Sequence, residues 1–224
     1  VPLRSMEQLL IKLSSLINLM KLKKFHREVY GRFNAIFCVS KEEAQFTKLQ
    51  VKDNTKILIV PNGVDENLFT AGQYSDNKPN RIILCSNMGV RRNIDAAIWF
   101  AKDIFPKIRK KISDAQFYIV GSGFSQEVLQ LNSIPGVHVV GEVKDIWEYY
   151  KIGKVFIAPY RFGAGTKLKI FEAMASGIPI VSTTIGCRGI DVINKKHILI
   201  ADDEIEFSNV VVDVLRNSQL SQEL

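Results

Sequence analysis

A regular alternation of strand-like and helical segments dominates the sequence from residue 81 onward. Short aliphatic, β-branched runs predict strands, and apolar residues spaced by three and four positions between them predict helices. The predicted strands are residues 81–85, 116–120, 137–140, 155–158, 179–182 and 197–200, and the predicted helices are 93–112, 126–131, 145–150, 167–175 and 204–215. This βαβ repetition predicts an α/β fold, a doubly wound parallel sheet with helices on both faces. Ligands of such sheets bind at the carboxyl ends of the strands.

The part of the chain before this alternation has a different pattern. Residues 6–20 repeat apolar side chains as an amphipathic helix does, and two short apolar runs, 33–39 and 57–60, predict further strands. A charged helix is expected from residue 41 to about 49, with Ser40 as its N-cap. The polar stretch 73–80 has no periodicity and predicts a linker. We therefore expect one domain over 1–72 and another over 73–224, and both ends have the character of cuts within a longer protein.

Composition excludes several classes of protein. With 46% hydrophobic and 24% charged residues, the chain can bury a substantial core and has no compositional sign of disorder. Its apolar runs are far shorter than the roughly 20 residues that cross a bilayer, so a soluble, cytoplasmic protein is expected. Cys38, Cys85 and Cys187 lie far apart in apolar surroundings, which predicts buried free thiols, and no zinc-ligand spacing occurs.

Positive charge is concentrated at the start of the chain. The net charge is +7, and the first fifty residues hold nine lysines and arginines against four acidic residues. A solvated helix face is the simpler interpretation, but a basic amphipathic helix can also contact an anionic membrane surface, which would place the protein at the inner face of the membrane. Aromatic and basic residues are not interleaved as in nucleic-acid platforms, so no nucleic-acid partner is expected.

The strongest local signal is the segment 158–177, which predicts a strand, a glycine-bearing loop and a helix opening near Thr166. Glycines let a backbone approach a ligand, and the free N–H groups of a helix start can hold phosphate. Lys167 and Lys169 would lie in the first turn, where each cation opposes the helix dipole at a cost of about 0.3–1 kcal/mol that a bound anion would reverse. The alternative is a pair of ordinary exposed lysines, because a glycine loop alone is a weak motif.

Glu172 is the only carboxylate in the apolar run 170–175. A helix that packs on a sheet would not bury an acid there without a partner. Such a carboxylate can accept hydrogen bonds from two adjacent sugar hydroxyls, as acidic residues hold ribose in dinucleotide sites. The alternative interpretation is an acid at the solvent-facing edge of the helix.

The segment 158–177 resembles the donor site of the family-four glycosyltransferases, retaining enzymes with two Rossmann-like lobes (the GT-B fold). Further segments match that family in order and spacing: 39–40, 60–65, 93–101, 117–123, 136–141 and 200–203. The resemblance implies that this chain is the C-terminal donor-binding lobe, with 1–72 a remnant of the acceptor lobe. It also implies transfer of a sugar with retention, from a nucleotide-diphosphate sugar to a glycan or lipid-linked acceptor, without a metal or other cofactor.

The resemblance also assigns residues. It implies that Glu172 holds the ribose hydroxyls and that Arg92 and Lys167 are the catalytic cations, which neutralise the leaving diphosphate as its negative charge grows. Further donor-binding positions follow from the same comparison: Gly165 and Thr166 at the diphosphate, the loop with Gly141 and Val143 at the nucleobase, and Gly89.

The sequence departs from the family pattern at two positions. Ala164 stands where the family commonly has a glutamate that contacts the transferred sugar, and Asn87 stands where it has its first basic phosphate residue. We interpret Ala164 as the mark of a subgroup, and we expect Arg91, Arg92 and Lys167 to share the charge that Asn87 lacks.

Two alternatives to a glycosyltransferase are carried forward: a sugar-nucleotide epimerase of the same fold, and a non-catalytic module that binds nucleotide or membrane. An epimerase needs acid and base groups in its cleft, and no clear set is found here. His26, His138 and His197 are isolated from one another, and Trp99 and Trp147 have the spacing of core residues. A lobe separated from its N-terminal partner lobe is expected to bind nucleotide weakly and to transfer little.

Overall fold

The computed structural model describes residues 2–51, 55–66, 69 and 78–224, with side chains from residue 12 onward. The chain divides into two compact units, Val1–Asn62 and Gly63–Leu224. The boundary between the units lies after Asn62, whereas the predicted boundary lay after residue 72. The segment that begins at Gly63 therefore belongs to the second unit. Most of the linker predicted over 73–80, namely residues 73–77, lies outside the described residues.

The first unit contains two helices and a pair of parallel strands. Its elements are α1 (Pro2–Tyr30), β1 (Ala35–Cys38), α2 (Lys41–Lys48) and β2 (Lys56–Ile59), and the strands pair from Ala35 with Lys56 to Cys38 with Ile59. The predicted N-cap is confirmed, since the Ser40 hydroxyl accepts a hydrogen bond from the Glu43 N–H at 3.1 Å. Helix α1 is longer than the predicted 6–20, and apolar side chains such as Leu16, Met20 and Phe25 are exposed along it.

The second unit contains a six-stranded parallel sheet. Its strands are β3 (Arg81–Cys85), β4 (Gln116–Val120), β5 (Val137–Gly141), β6 (Val155–Ala158), β7 (Ile180–Ser182) and β8 (Leu199–Ile200). They lie in the order β5-β4-β3-β6-β7-β8, with every neighbouring pair parallel. This is the doubly wound order, in which the winding direction reverses between β3 and β6. The prediction of a doubly wound parallel sheet is confirmed.

Helices flank this sheet close to the predicted positions. They are α3 (Arg91–Trp99), α4 (Phe105–Lys111), α5 (Gln126–Leu129), α6 (Trp147–Ile152), α7 (Leu168–Ala175), α8 (Glu204–Arg216) and α9 (Ser218–Glu223). The predicted single helix 93–112 is α3 and α4 joined by a π-helical turn at Phe100–Ile104, where the Phe105 N–H donates to the Phe100 carbonyl. Pro106 has no N–H to continue regular α-helical bonding, which accounts for a wide turn just before it.

Apolar side chains fill both faces of the sheet. In β3, Ile82 and Leu84 belong to one buried cluster, whereas Ile83 and Cys85 belong to the other, as the two-residue period of a strand requires. All four are fully buried, and each aliphatic side chain removed from water contributes about 1.5–3 kcal/mol. A strand buried on both faces is the expected centre of a parallel sheet.

Several smaller expectations are also settled. Cys38, Cys85 and Cys187 are buried and free, as predicted. Trp99 is 6% exposed and lies in the core, but Trp147 is only half-buried, so its assignment to the core holds only in part. Within the described part of the chain, no helix is both long enough and apolar enough to cross a membrane.

Candidate functional site

The predicted site residues gather at the point where the winding of the sheet reverses. Strand β3 ends at Cys85 and leads into α3, while β6 ends at Ala158 and leads through the glycine-bearing loop, residues 159–167, into α7. Because β3 and β6 are neighbouring parallel strands, both following segments leave the sheet at the same edge. Arg92 and Lys167, far apart in the sequence, therefore belong to one site.

Lys167 is buried in this site. It is 5% exposed, its Nζ donates to the Gly165 carbonyl at 2.7 Å, and the same atom lies 5.6 Å from the centre of the Tyr160 ring. Burial, followed by repulsion from Arg92 and Arg188, lowers the pKa of Lys167. The prediction that Lys167 lies in the first turn of the helix is wrong, because it is the N-cap of α7. The alternative interpretation of Lys167 as an ordinary exposed lysine is also wrong, because the residue is buried.

Arg92 occupies the first turn of α3 and lies against the loop 159–167. Its Cδ is 2.7 Å from the point where a β-carbon on Gly163 would stand, and its Nε is buried without a hydrogen-bond acceptor in the protein. Among the described residues, none of the salt bridges involves Arg92, Lys167 or Arg188. The site therefore holds uncompensated positive charge, and a buried N–H donor without an acceptor favours an anion.

The loop 159–167 is tied to its neighbours on two sides. The Arg161 guanidinium makes two hydrogen bonds to the carboxylate of Asp95 on α3, one of them 3.0 Å long, and lies 5.2 Å from the centre of the Trp99 ring. On the other side, the Thr183 hydroxyl donates to the Tyr160 carbonyl. These contacts hold the segment that carries Lys167 against the helix that carries Arg92.

The carboxylate of Glu172 has partners within the fold. Its two oxygens accept hydrogen bonds from the Lys169 Nζ at 2.9 and 2.8 Å, and Oε2 also accepts from the Tyr150 hydroxyl at 3.3 Å. Lys169 lies in the first turn of α7, as predicted, and its unfavourable interaction with the helix dipole is offset by this ion pair.

Beneath Glu172 the network is buried. Burial, with the neighbouring Cys85 and Glu172, raises the pKa of Tyr150 well above its ordinary value. Burial is also the main cause that raises the pKa of Cys85 to about 12. Both groups therefore remain protonated at neutral pH, and Tyr150 can act as a hydrogen-bond donor to the carboxylate.

Two cavities border this network. One, of about 290 Å³, lies beyond the carboxyl ends of β3, β4 and β5, and the other, of about 350 Å³, lies beside Glu172. The first is lined by Ser86, Asn87, Gly121, Ser122, Glu142, Val143, Ile146 and Lys169. The second is lined by Gly63, Val64, Asp65, Trp147, Leu168 and Glu172. Because Lys169 lines the first cavity and Glu172 lines the second, the ion pair of these two residues borders both.

The remaining predicted positions lie in the same region. Gly141 and Gly165 adopt positive φ angles of 92° and 75° and have no atom within 4 Å of an added β-carbon, so their backbone is open to a ligand. The Gly89 N–H is taken by the Asn87 side chain at 2.8 Å, and Thr166 is half-buried in the loop. Asn87 thus stabilises the turn before α3, at the position where the family pattern has a basic residue.

The sequence did not indicate three residues of the site. Arg188 follows β7, and no motif marks it as a cation whose charge contributes to lowering the pKa of Lys167. Tyr150 has the pattern of an ordinary apolar helix position, and Arg161 of an ordinary loop charge. Conversely, His138 takes no part, since it hydrogen-bonds Gln116 at 2.6 Å. In the described residues, no three His, Cys, Asp or Glu side chains group closely enough to hold a metal ion.

A doubly wound sheet with a cationic loop site at its reversal point defines a Rossmann-like α/β protein. Comparison with known proteins then narrows the class. Residues 79–217, well over half of the chain, match the family described as glycosyl transferases group 1, and the chain belongs to that family.

Individual relatives are more distant. A Klebsiella pneumoniae protein of the cps region, described as an uncharacterized 44.6 kDa protein, is 26% identical over 144 residues, which cover 61% of this chain and 37% of that protein. The chain thus spans little more than a third of the curated relative it matches.

Solved structures share the fold. A mutant of S. aureus TarM, solved with fondaparinux, alpha-GlcNAc-glycerol and UDP, has a TM-score of 0.71 at 20% identity, over 91% of this chain and 41% of that one. Anabaena HepE, in complex with UDP and glucose, has a TM-score of 0.67 at 14% identity, over 88% of this chain and 57% of that one. These likenesses establish the GT-B architecture for the matched region.

Proposed function

We propose that this chain is the donor-binding lobe of a glycosyltransferase that takes a sugar from a nucleoside diphosphate sugar. The observation that carries the proposal is the uncompensated cation cluster of Arg92, Lys167 and Arg188 at the reversal point of the sheet, with the carboxylate of Glu172 on the helix that follows. Membership of the group 1 glycosyl transferase family and the UDP bound to structural relatives support it.

In this proposal the cation cluster receives the diphosphate. Arg92 offers a buried N–H without an acceptor, and Lys167 is held beside the backbone of Gly165. As the bond between sugar and diphosphate breaks, negative charge grows on the leaving group, and fixed cations in a partly buried site stabilise that charge. The start of α7 adds backbone N–H groups next to Thr166.

The nucleoside would lie along the other half of the site. Glu172 takes the ribose hydroxyls, and the cavity lined by Val143 receives the base, next to the open backbone at Gly141. Gly89 is assigned to the same donor site, in the turn between β3 and α3. The cations of the chain neutralise the diphosphate, so the proposal requires neither a metal nor another cofactor.

The rest of the reaction belongs to the full-length protein. The chain spans 37% of its curated relative, so we propose that the groups that bind a glycan or lipid-linked acceptor come from an N-terminal lobe. Transfer with retention, a cytoplasmic site of action, and contact of the basic first segment with the inner membrane face are parts of the same proposal.

Nucleotide binding tests the proposal directly. Titration calorimetry with UDP, GDP and ADP, in the absence of metal, is expected to detect binding of at least one nucleotide, and Glu172→Ala should weaken that binding tenfold or more. The matched control is Glu148→Ala, because Glu148 forms an exposed ion pair with Lys151 and lies outside the site. Absence of binding for all three nucleotides would favour a degenerate or purely structural module. Transfer or epimerisation by the full-length protein separates the two enzyme classes.

A further inference from the structure

The carboxylate of Glu172 is almost saturated within the fold. An ionised carboxylate offers about four acceptor positions. Lys169 occupies one on each oxygen, and the Tyr150 hydroxyl occupies another on Oε2. Only about one position remains for a ligand, so Glu172 by itself cannot accept hydrogen bonds from two hydroxyls without losing a bond that the fold already makes.

Lys169 supplies what the carboxylate lacks. Its ammonium carries three N–H donors, of which Glu172 takes two, and its side chain is 35% exposed. A hydroxyl both donates and accepts hydrogen bonds. An ammonium can therefore donate to the hydroxyls of a vicinal diol while a neighbouring carboxylate accepts from them. Lys169 lines the cavity beyond β3 to β5, and Glu172 lines the cavity beside α7, so the ion pair borders both.

Tyr150 fixes the position of the carboxylate. Its side chain is 1% exposed, and its ring packs against Trp147 at 5.1 Å and Phe156 at 5.6 Å between ring centres. The hydroxyl therefore cannot turn to solvent, and it reaches Glu172 at 3.3 Å. Phenylalanine at this position would keep the packing and remove the hydroxyl, which hydrogen-bonds Glu172 and also the buried thiol of Cys85.

We propose that Lys169 binds the ribose diol of the donor together with Glu172, that Tyr150 is the positioning residue of this pair, and that the three select ribonucleotides over deoxyribonucleotides. This inference rests on the proposed function, since it assumes that Glu172 faces the nucleoside. It adds Lys169 as a ligand-contacting residue and Tyr150 as a positioning residue to the part of the site that would hold the ribose.

The chain contains a matched control for the ion pair. Lys151 and Glu148 form a pair on α6 in which the charges are also three residues apart, with 3.2 Å between the charged atoms and side chains 45% and 62% exposed. This pair borders neither cavity. Lys151→Met thus removes a lysine from an equivalent helical ion pair without touching the site.

The test compares the binding of UDP and of 2′,3′-dideoxy-UDP to this chain by titration calorimetry. GDP and ADP are then compared with their own 2′,3′-dideoxy forms in the same way. The unaltered chain is expected to prefer the ribonucleotide at least tenfold. Lys169→Met should weaken ribonucleotide binding about tenfold and Tyr150→Phe about threefold, since bonds to a charged group are lost or loosened. Neither change should alter the affinity for the dideoxy ligand, and Lys151→Met should alter neither affinity.

Each outcome has a separate meaning. If the unaltered chain binds no nucleotide, or binds both forms equally, the proposed function of Glu172 fails and this inference fails with it. If the preference exists but survives in Lys169→Met and Tyr150→Phe, the inference alone is overturned. If the two variants lose affinity equally for the ribonucleotide and the dideoxy ligand, Lys169 and Tyr150 have only a structural role, and the inference is overturned. Melting curves verify folding, and Lys169→Gln replaces the methionine variant if that variant unfolds.

Discussion

The side chain of Arg92 lies across Gly163, with its Cδ 2.7 Å from the position of an added β-carbon on that glycine. Gly163 also has a φ angle of 121°, which L-residues rarely adopt. We expect Gly163→Ala to push Arg92 out of the cation cluster and to weaken nucleoside diphosphate binding by a factor of about ten, the effect of one lost charge-assisted hydrogen bond. Titration calorimetry measures this loss.

A double-mutant comparison separates this effect from general disruption. In an Arg92→Ala background the displaced group is already gone, so Gly163→Ala should weaken binding by less than about twofold more. If the two losses of binding free energy simply add, Gly163 does not act through Arg92.

The backbone of Gly121 passes close to the turn after β3. A β-carbon on Gly121 would stand 1.9 Å from the Ser86 carbonyl oxygen, a backbone atom that cannot move independently. We therefore expect Gly121→Ala to lower the free energy of unfolding by about 3 kcal/mol or more. Gly165→Ala is the steric control, since no atom lies within 4 Å there and only the strain of a positive φ, about 1–2 kcal/mol, applies. Denaturant unfolding of both variants tests this, and equal losses would contradict it.

Lys167 should make nucleotide binding depend on pH. Its folded pKa is lowered by burial and by two arginines, so the site without ligand releases this proton below the ordinary pKa of lysine. A bound diphosphate restores the charged form, hence affinity should fall as pH rises through the lowered pKa, with proton uptake on binding in that window. Calorimetry in two buffers of different ionisation enthalpy measures the uptake. The uptake should vanish in Lys167→Met, and proton release in its place would refute the assignment.

The same shift affects stability with a defined sign. Between the lowered folded pKa and the ordinary value, the unfolded chain binds more protons at Lys167 than the folded chain does. The contribution of this group to the free energy of unfolding therefore rises with pH through that window. The alkaline slope of the unfolding free energy should decrease in Lys167→Met by this contribution.

The three thiols should be unreactive in the folded chain. Cys38, Cys85 and Cys187 are at most 7% exposed, and burial raises the pKa of Cys85 to about 12. Since the thiolate is the reactive species, thiol reagents should label all three only after denaturation, with Cys85 among the slowest under native conditions. If a thiol of the native protein reacts with the reagent within seconds, one of these three positions opens to solvent.

Short apolar runs alternate along the sequence with segments whose apolar residues are three and four positions apart, and this alternation was sufficient to predict the sheet of the second unit. Strands β3, β4 and β6 begin and end where the pattern predicted, because largely buried strands are near-continuous apolar runs with clear limits. The π-helical turn before Pro106 was not predicted, since the periodicity of apolar side chains hardly differs between one wide turn and a regular helix.

For the site, the sequence by itself determined which residues could carry chemistry, and tertiary structure decided how they meet. The glycine loop, Lys167 and Glu172 are close in the chain, so local pattern was enough to single them out. Lys167 proved to be buried, with Arg92 and Arg188 beside it, because three strand ends converge at one edge of the sheet. The partners of Glu172 include Tyr150 from another helix, and such a contact depends on packing across the fold that no local sequence period records.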